Sequence, residues 1–184
     1  MSTRPIRLET TGIHASVEMP ELPLDRDFIA RTLDLYNPEH VSVVSATLHG
    51  SVLNAVIRPL LYPFTKPGHI SYVTASMAFL YLSQASYLAV RSLILRQPKE
   101  ATIVTDEDFF AGSHRGELVF SSASLRFKRK IWIAEGITFP LKVDIRDTRV
   151  MRSHLFAGLL SDMDNGALVA SGMLAMPISL NHTA

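Results

Sequence analysis

The densest apolar stretch of this chain runs from Gly68 to Gln97, with no acidic residue, no proline and no glycine after Gly68. From Val73 to Leu95 apolar side chains fall on almost every face of a 3.6-residue period, among them Met77, Phe79, Tyr81, Leu82, Leu88 and Ile94. A helix that is apolar nearly all round sits at the centre of a fold or spans a membrane. The run is long enough to span. However, Thr74, Ser76, Ser83, Gln84 and Ser86 lie inside it and strand-like segments flank it, which favours a buried helix wrapped by a sheet. Ser71 or Thr74 supplies the N-cap hydroxyl, Arg91 and Arg96 suit the negative helix end, and Pro98 stops the helix.

The remaining pattern is mostly strand. Residues 1–23 are polar and read as an arm over the surface, leaving 24–184 as a single domain. A short helix over Leu24–Leu33 has Phe28, Ile29 and Leu33 as its apolar stripe and ends at Asn37-Pro38. His40–His49 alternates and is rich in β-branched residues, placing Val41, Val43, Ser45 and Thr47 on one face. Gly50-Ser51 turns it into a partner over Val52–Leu61, and a loop to Gly68 delivers the chain to the long helix. Beyond Pro98 come a short strand at Ala101–Val104 and a helical turn at Asp106–Phe110. Strands follow over Glu117–Lys128, Lys130–Asp147, Leu155–Asp162 and Ala167–Met176, with Asn165-Gly166 as a strong turn signal. Hairpins imply an antiparallel sheet, and one long apolar helix needs a curved sheet around it. This α+β order is that of a hotdog fold, whose subunits usually pair to complete a ligand site; by that analogy a homodimer or higher homo-oligomer is expected.

Composition narrows the chemistry. With 184 residues, one domain can bury a substantial core. A net charge of +1 argues against a general nucleic-acid binder. The absence of cysteine removes disulfides and thiolate chemistry. The N-terminal residues lack the apolar core of a signal peptide, so a cytoplasmic location is the expectation.

Three short runs resemble the FcoT-like fatty acyl-CoA thioesterases: Phe28–Tyr36 (FIARTLDLY), Gly68-His69, and Ser83-Gln84-Ala85-Ser86-Tyr87 within the long helix. The resemblance implies cleavage of fatty acyl thioesters without the usual acidic base. It assigns a functional tyrosine to Tyr36 and a second to Tyr62 or Tyr72. The family's asparagine near the helix start falls on Thr74 or Ser71, a departure from its pattern. A fainter likeness to hotdog dehydratases rests on His69 and Ser83-Gln84-Ala85, but Leu80 stands where those enzymes carry a helix carboxylate.

The residues themselves define the available chemistry by what is missing. No Asp or Glu lies between Glu39 and Glu100, so a base must be His69, His49 or an acid from elsewhere. Histidine is the side chain whose unperturbed pKa lies near neutrality, which makes His69 a candidate base, although a loop histidine facing solvent would look the same. Unpaired amides from Val73 to Ser76 are candidates for holding a developing oxyanion, with Thr74 or Ser71 adding a hydroxyl; ordinary N-caps carry the same signature. Gln84, buried, must bond a strand or a ligand. Lys128 and Arg129 belong to a basic run (Arg126–Lys130) suited to coenzyme A phosphates or an acidic acyl carrier protein, or simply to guarding a sheet edge. Together with the tyrosines that the resemblance implies (Tyr36, and Tyr62 or Tyr72), the candidate ligand contacts are Tyr62, Ser71, Tyr72, Gln84, Lys128 and Arg129, and the candidate catalytic groups are Tyr36, His69 and Thr74. No metal-ligand spacing or phosphate loop is present, so no cofactor is expected. The leading expectation is hydrolysis of a medium- or long-chain acyl thioester. Dehydration or isomerisation of a β-hydroxyacyl or enoyl thioester, and non-catalytic acyl binding, are the alternatives.

Overall fold

The structure is a computed structural model and describes residues 6–7, 21–60, 71–96, 104–151 and 153–178. Eleven segments matter here. Two short strands, β1 (Ile6–Arg7) and β2 (Leu22–Pro23), precede helix α1 (Arg26–Thr32) and the hairpin β3 (Val43–His49) and β4 (Val52–Ile57). The long helix α2 (Ala75–Leu95) and helix α3 (Asp106–His114) follow. Strands β5 (Val119–Phe127), β6 (Phe139–Met151), β7 (His154–Met163) and β8 (Leu168–Pro177) complete the order.

The strands form one antiparallel sheet in the order β2-β3-β4-β6-β7-β8-β5, with β1 on the far end of β6. Alternation decides which face meets the helix. Leu53, Ala55 and Ile57 of β4 point inward, as do Leu141, Val143 and Ile145 of β6 and Leu155, Ala157 and Leu159 of β7. Their apolar surface closes around α2, where Met77, Tyr81, Leu88 and Val90 are buried. The 21-residue helix has membrane-spanning length, but most of its apolar window is buried inside the sheet, which makes it the core helix of this fold.

Several expectations are corrected by local geometry. The N-terminal arm is not only a surface excursion: Ile6–Arg7 pairs with Val150 and Arg149, and Leu22–Pro23 with Leu48 and Thr47, so extended backbone finds ladder partners. The alternation expected for 41–48 breaks at a bulge between Val43 and Ser45. One extra residue there flips the phase, so Val43, Ala46 and Leu48 turn inward while Val44 and Ser45 face out. The strand expected from Lys130 starts only at Phe139, because Glu135–Gly136 turns through a left-handed glycine, φ 77°. Of the expected strand at 101–104 only Val104 lies among the described residues, buried at a bend. The helical turn at Asp106 extends to His114, opened by a capping box in which Thr105 and Asp108 exchange side-chain-to-backbone hydrogen bonds.

Candidate functional site

Thr74 is the N-cap of α2, its backbone extended and its hydroxyl oxygen accepting from Met77 N at 3.4 Å. The Thr74 carbonyl accepts from Ala78 N at 2.9 Å. Those two bonds serve the third and fourth amides of the helix, and the amides of Ala75 and Ser76 have no hydrogen bond among the described residues. They stand at the positive end of the helix. Ser71, the other N-cap candidate, lies before the helix and is exposed; its carbonyl accepts from Ile133 N at 2.8 Å.

The segment before the helix is held by a two-residue ladder. Val73 N donates to Ile131 O and Ile133 N to Ser71 O, both at 2.8 Å, so Tyr72 and Trp132 face each other as an antiparallel pair. Beside this ladder a cleft of about 500 Å³ is lined by Tyr72, Val73, Thr74, Ala75 and the 127–130 run of Phe, Lys, Arg and Lys. Four residues expected to act on a ligand, Tyr72, Thr74, Lys128 and Arg129, are thereby brought together. Arg129 is held in place: Nη1 donates to Asp164 Oδ2 at 2.8 Å and Nη2 to the Asp164 carbonyl at 2.6 Å. That carbonyl is presented by a left-handed turn over Asp164, Asn165 and Gly166. Lys128 has no ion-pair partner among the described residues, and no carboxylate lines the cleft.

Tyr36 lies elsewhere. It lines a second cleft of about 590 Å³ between α1 and the start of β3, walled by Ile29, Leu33, Val41 and Val43 with Arg26 and Arg58 among its polar residues. The two clefts share no lining residue. The Tyr36 ring centroid is 6.2 Å from that of Tyr87, whose hydroxyl donates to Leu118 O at 2.8 Å. Burial raises the Tyr36 pKa well above its ordinary value, and the charge and hydrogen bonding of Tyr87 push the same way. Burial also raises Tyr87, against the opposing effect of its hydrogen bond with Tyr36. Tyr36 is therefore a neutral donor at any physiological pH, not a phenolate base.

Gln84 is corrected from ligand contact to structural tie. It is 0% exposed, its Oε1 accepts from Ser42 N at 2.9 Å, and its Nε2 donates to His40 O at 2.7 Å. Tyr62 and His69 lie outside the described residues. Arg91, expected to face the helix end, is instead buried and paired with Asp106. One residue escaped sequence reasoning, Trp132 beside the helix start; Lys130 was read only as part of the basic run, and Tyr87 was not read as the partner of Tyr36. The signal for Trp132 was that it is the single tryptophan of the chain, two residues beyond the end of the basic run.

The strand order, with the first strand after the central helix at the sheet edge, defines the class: this is a hotdog fold. No protein-family model matches the chain, and no curated protein matches it. Among solved structures, the dehydratase domain of RzxB from Pseudomonas fluorescens is similar with a TM-score of 0.50 at 10% identity, over 95% of this chain and 54% of that one. This chain thus spans about half the length of that domain. A thioesterase superfamily protein from Shewanella loihica PV-4 is similar at 11% identity and TM-score 0.44, covering 72% of this chain and 88% of that one. A hypothetical thioesterase solved with coenzyme A from Streptococcus pneumoniae TIGR4 is similar at 12% identity and TM-score 0.41, covering 70% and 78%. At these identities the likeness is one of fold.

Proposed function

We propose that this chain hydrolyses a fatty acyl thioester, carried by coenzyme A or an acyl carrier protein, at the start of α2. The observation that carries the reading is the unbonded first amide of the helix at Ala75, a residue that lines a cleft whose charged residues are all basic, followed by the unbonded amide of Ser76. A thioester carbonyl set there develops negative charge on oxygen as water attacks, and fixed N–H donors at a helix start stabilise that charge without reorganising. His69, two residues upstream of Ser71, accepts the proton of the attacking water. It returns that proton to the thiolate as the carbon–sulfur bond breaks. Thr74 and Tyr72 orient the water, and Lys128 and Arg129 face the anionic carrier. The resemblance to FcoT-like enzymes supports the same reading. Tyr36, in the second cleft, lines none of this one and has no part in the step.

Dehydration of a β-hydroxyacyl thioester needs an acid over the substrate, and neither the α2 sequence nor the cleft lining provides one. The exposed outer edge of β5, which pairs only with β8 among the described residues, is where a second copy would add its own strand.

The experiment is release of free thiol from a series of acyl-CoAs and acyl carrier thioesters. Turnover that rises with chain length, and falls at least about a hundredfold in His69→Ala, is expected. No thiol release from any of them, or hydration of enoyl thioesters in its place, overturns the reading.

A further inference from the structure

Trp132, the single tryptophan of the chain, stands 58% exposed, with Tyr72 beside it at 39%. Register holds them there. Ile131 and Ile133 are both buried, so alternation sends the residue between them outward. The bonds Val73 N to Ile131 O and Ile133 N to Ser71 O make Tyr72 and Trp132 a non-hydrogen-bonded antiparallel pair, whose side chains leave the same face. Lys130 shares that face, its ammonium 5.2 Å from the Tyr72 ring centroid and 5.5 Å from that of Trp132. Ile137, in the turn closed by its amide on Ala134 O at 3.2 Å, is also left in water, 41% exposed. Trp132 does not line the helix-start cleft; it stands beside the cleft that Tyr72 lines. Around it the charge is of one sign: Arg126, Lys128 and Lys130 have no ion-pair partner among the described residues, and Glu135 is the nearest acid in sequence.

We infer that Trp132, Lys130 and Ile137 form a foot by which the protein rests on an anionic phospholipid membrane, beside the helix-start cleft. An indole has an apolar body and one polar edge, and its preferred place is the headgroup level of a bilayer. Lysine keeps its stem along apolar surface while its ammonium reaches the phosphates. Unpaired cations near an anionic leaflet add to the attraction, each by a similar increment. A bilayer surface demands no matching shape, so a few protruding side chains suffice. A stable protein partner needs a far larger patch with an apolar centre, and a nucleic-acid strand needs a basic groove several nucleotides long. The unpaired cations here lie within one five-residue run of a chain whose net charge is only +1. Tyr72 serves the foot only by bracing Lys130 and Trp132, which leaves its hydroxyl to the cleft. The contact requires no thioester chemistry and stands or falls apart from it.

With one tryptophan in the chain, fluorescence reads this contact directly. Vesicles of phosphatidylglycerol mixed with phosphatidylcholine should shift the emission of the full chain to the blue, saturably, and vesicles of phosphatidylcholine alone should not. Salt at about 1 M, where charges are screened beyond about 3 Å, should reverse most of the shift. By co-sedimentation with the mixed vesicles, Lys130→Gln should weaken binding about fivefold, the scale of one lost charge, and Glu135→Gln should strengthen it by a like factor. Lys130→Arg should bind as the parent does. Trp132→Ala, checked for its fold by circular dichroism, should stay in the supernatant. No shift with the mixed vesicles overturns the inference, as does an equal shift with neutral ones. So does a shift produced without lipid by raising the protein concentration, which would give the face to a second copy. A single-stranded oligonucleotide that moves the emission where vesicles do not overturns it too.

Discussion

Arg91 meets Asp106 with two arms of its guanidinium, Nε to Oδ1 at 2.7 Å and Nη2 to Oδ2 at 3.0 Å. The same side chain donates from Nη1 to Thr32 Oγ1 at 2.7 Å and lies over the rings of Phe28 and Phe110 at 4.5 and 4.6 Å. One residue thus fastens α1, α2 and α3. Arg91 is 3% exposed whereas the Asp106 side chain keeps contact with water, so the two ends of the pair are not equivalent. Asp106→Ala strands a buried cation and should cost about 3 kcal/mol. Arg91→Met leaves a carboxylate that water can reach and should cost less. Urea denaturation of both variants measures the difference, and equal losses would contradict the asymmetry.

Gln84 bonds two backbone groups that have no strand partner at the entry to β3, the Ser42 amide and the His40 carbonyl. Gln84→Leu preserves volume and deprives both, an expected loss of about 2 kcal/mol. The thioester KM of the folded variant should stay within twofold of the parent. A large KM change with little change in stability would restore a ligand-binding role to the amide.

Tyr36, Tyr81 and Tyr87 share one electrostatic consequence. Burial raises all three, Tyr81 to about 12, in its case against the Leu60 N–H that favours the phenolate. A folded-state pKa above the unfolded value of 10.0 means that the fold binds the proton more tightly. The corresponding stability is complete below pH 10, and it is lost as pH rises through the folded values. Stability should therefore fall steadily between pH 10 and 12 and be indifferent to these groups near neutrality. A phenolate absorbance titration should show three of the five tyrosines lagging in the native protein relative to the urea-unfolded chain. Ionisation of all five near pH 10 with circular dichroism unchanged would refute this.

Much of the architecture was legible in sequence because its signals are local. A helix apolar on all faces, hairpin turns at Gly50-Ser51 and Asn165-Gly166, and alternating strands together left few arrangements other than a wrapped helix. The bulge at Val43/Ser45 was not legible, since a single inserted residue changes phase without changing composition. The site was legible in part. Thr74, Tyr72, Lys128 and Arg129 meet because a helix start and a basic turn carry their own sequence marks. The separation of Tyr36 from them depends on how α1 docks against β3, which no local pattern encodes. Trp132 was passed over because its meaning comes from Tyr72, sixty positions away and opposite it only once the ladder forms.

The run from β6 through β8 has a consequence for the order of events in folding. Met151 pairs with His154 and Met163 with Leu168, so these strands zip from short turns. By contrast, Phe127 reaches Leu168, and Ile57 reaches Phe139, only after long intervening segments have been closed into loops. Closing a long loop costs entropy before any contact repays it. The meander is thus the natural nucleus, and the chain's most apolar helix, although made earlier on the ribosome, waits for a sheet to receive it. Until then its surface is the part of the nascent protein most in need of a chaperone.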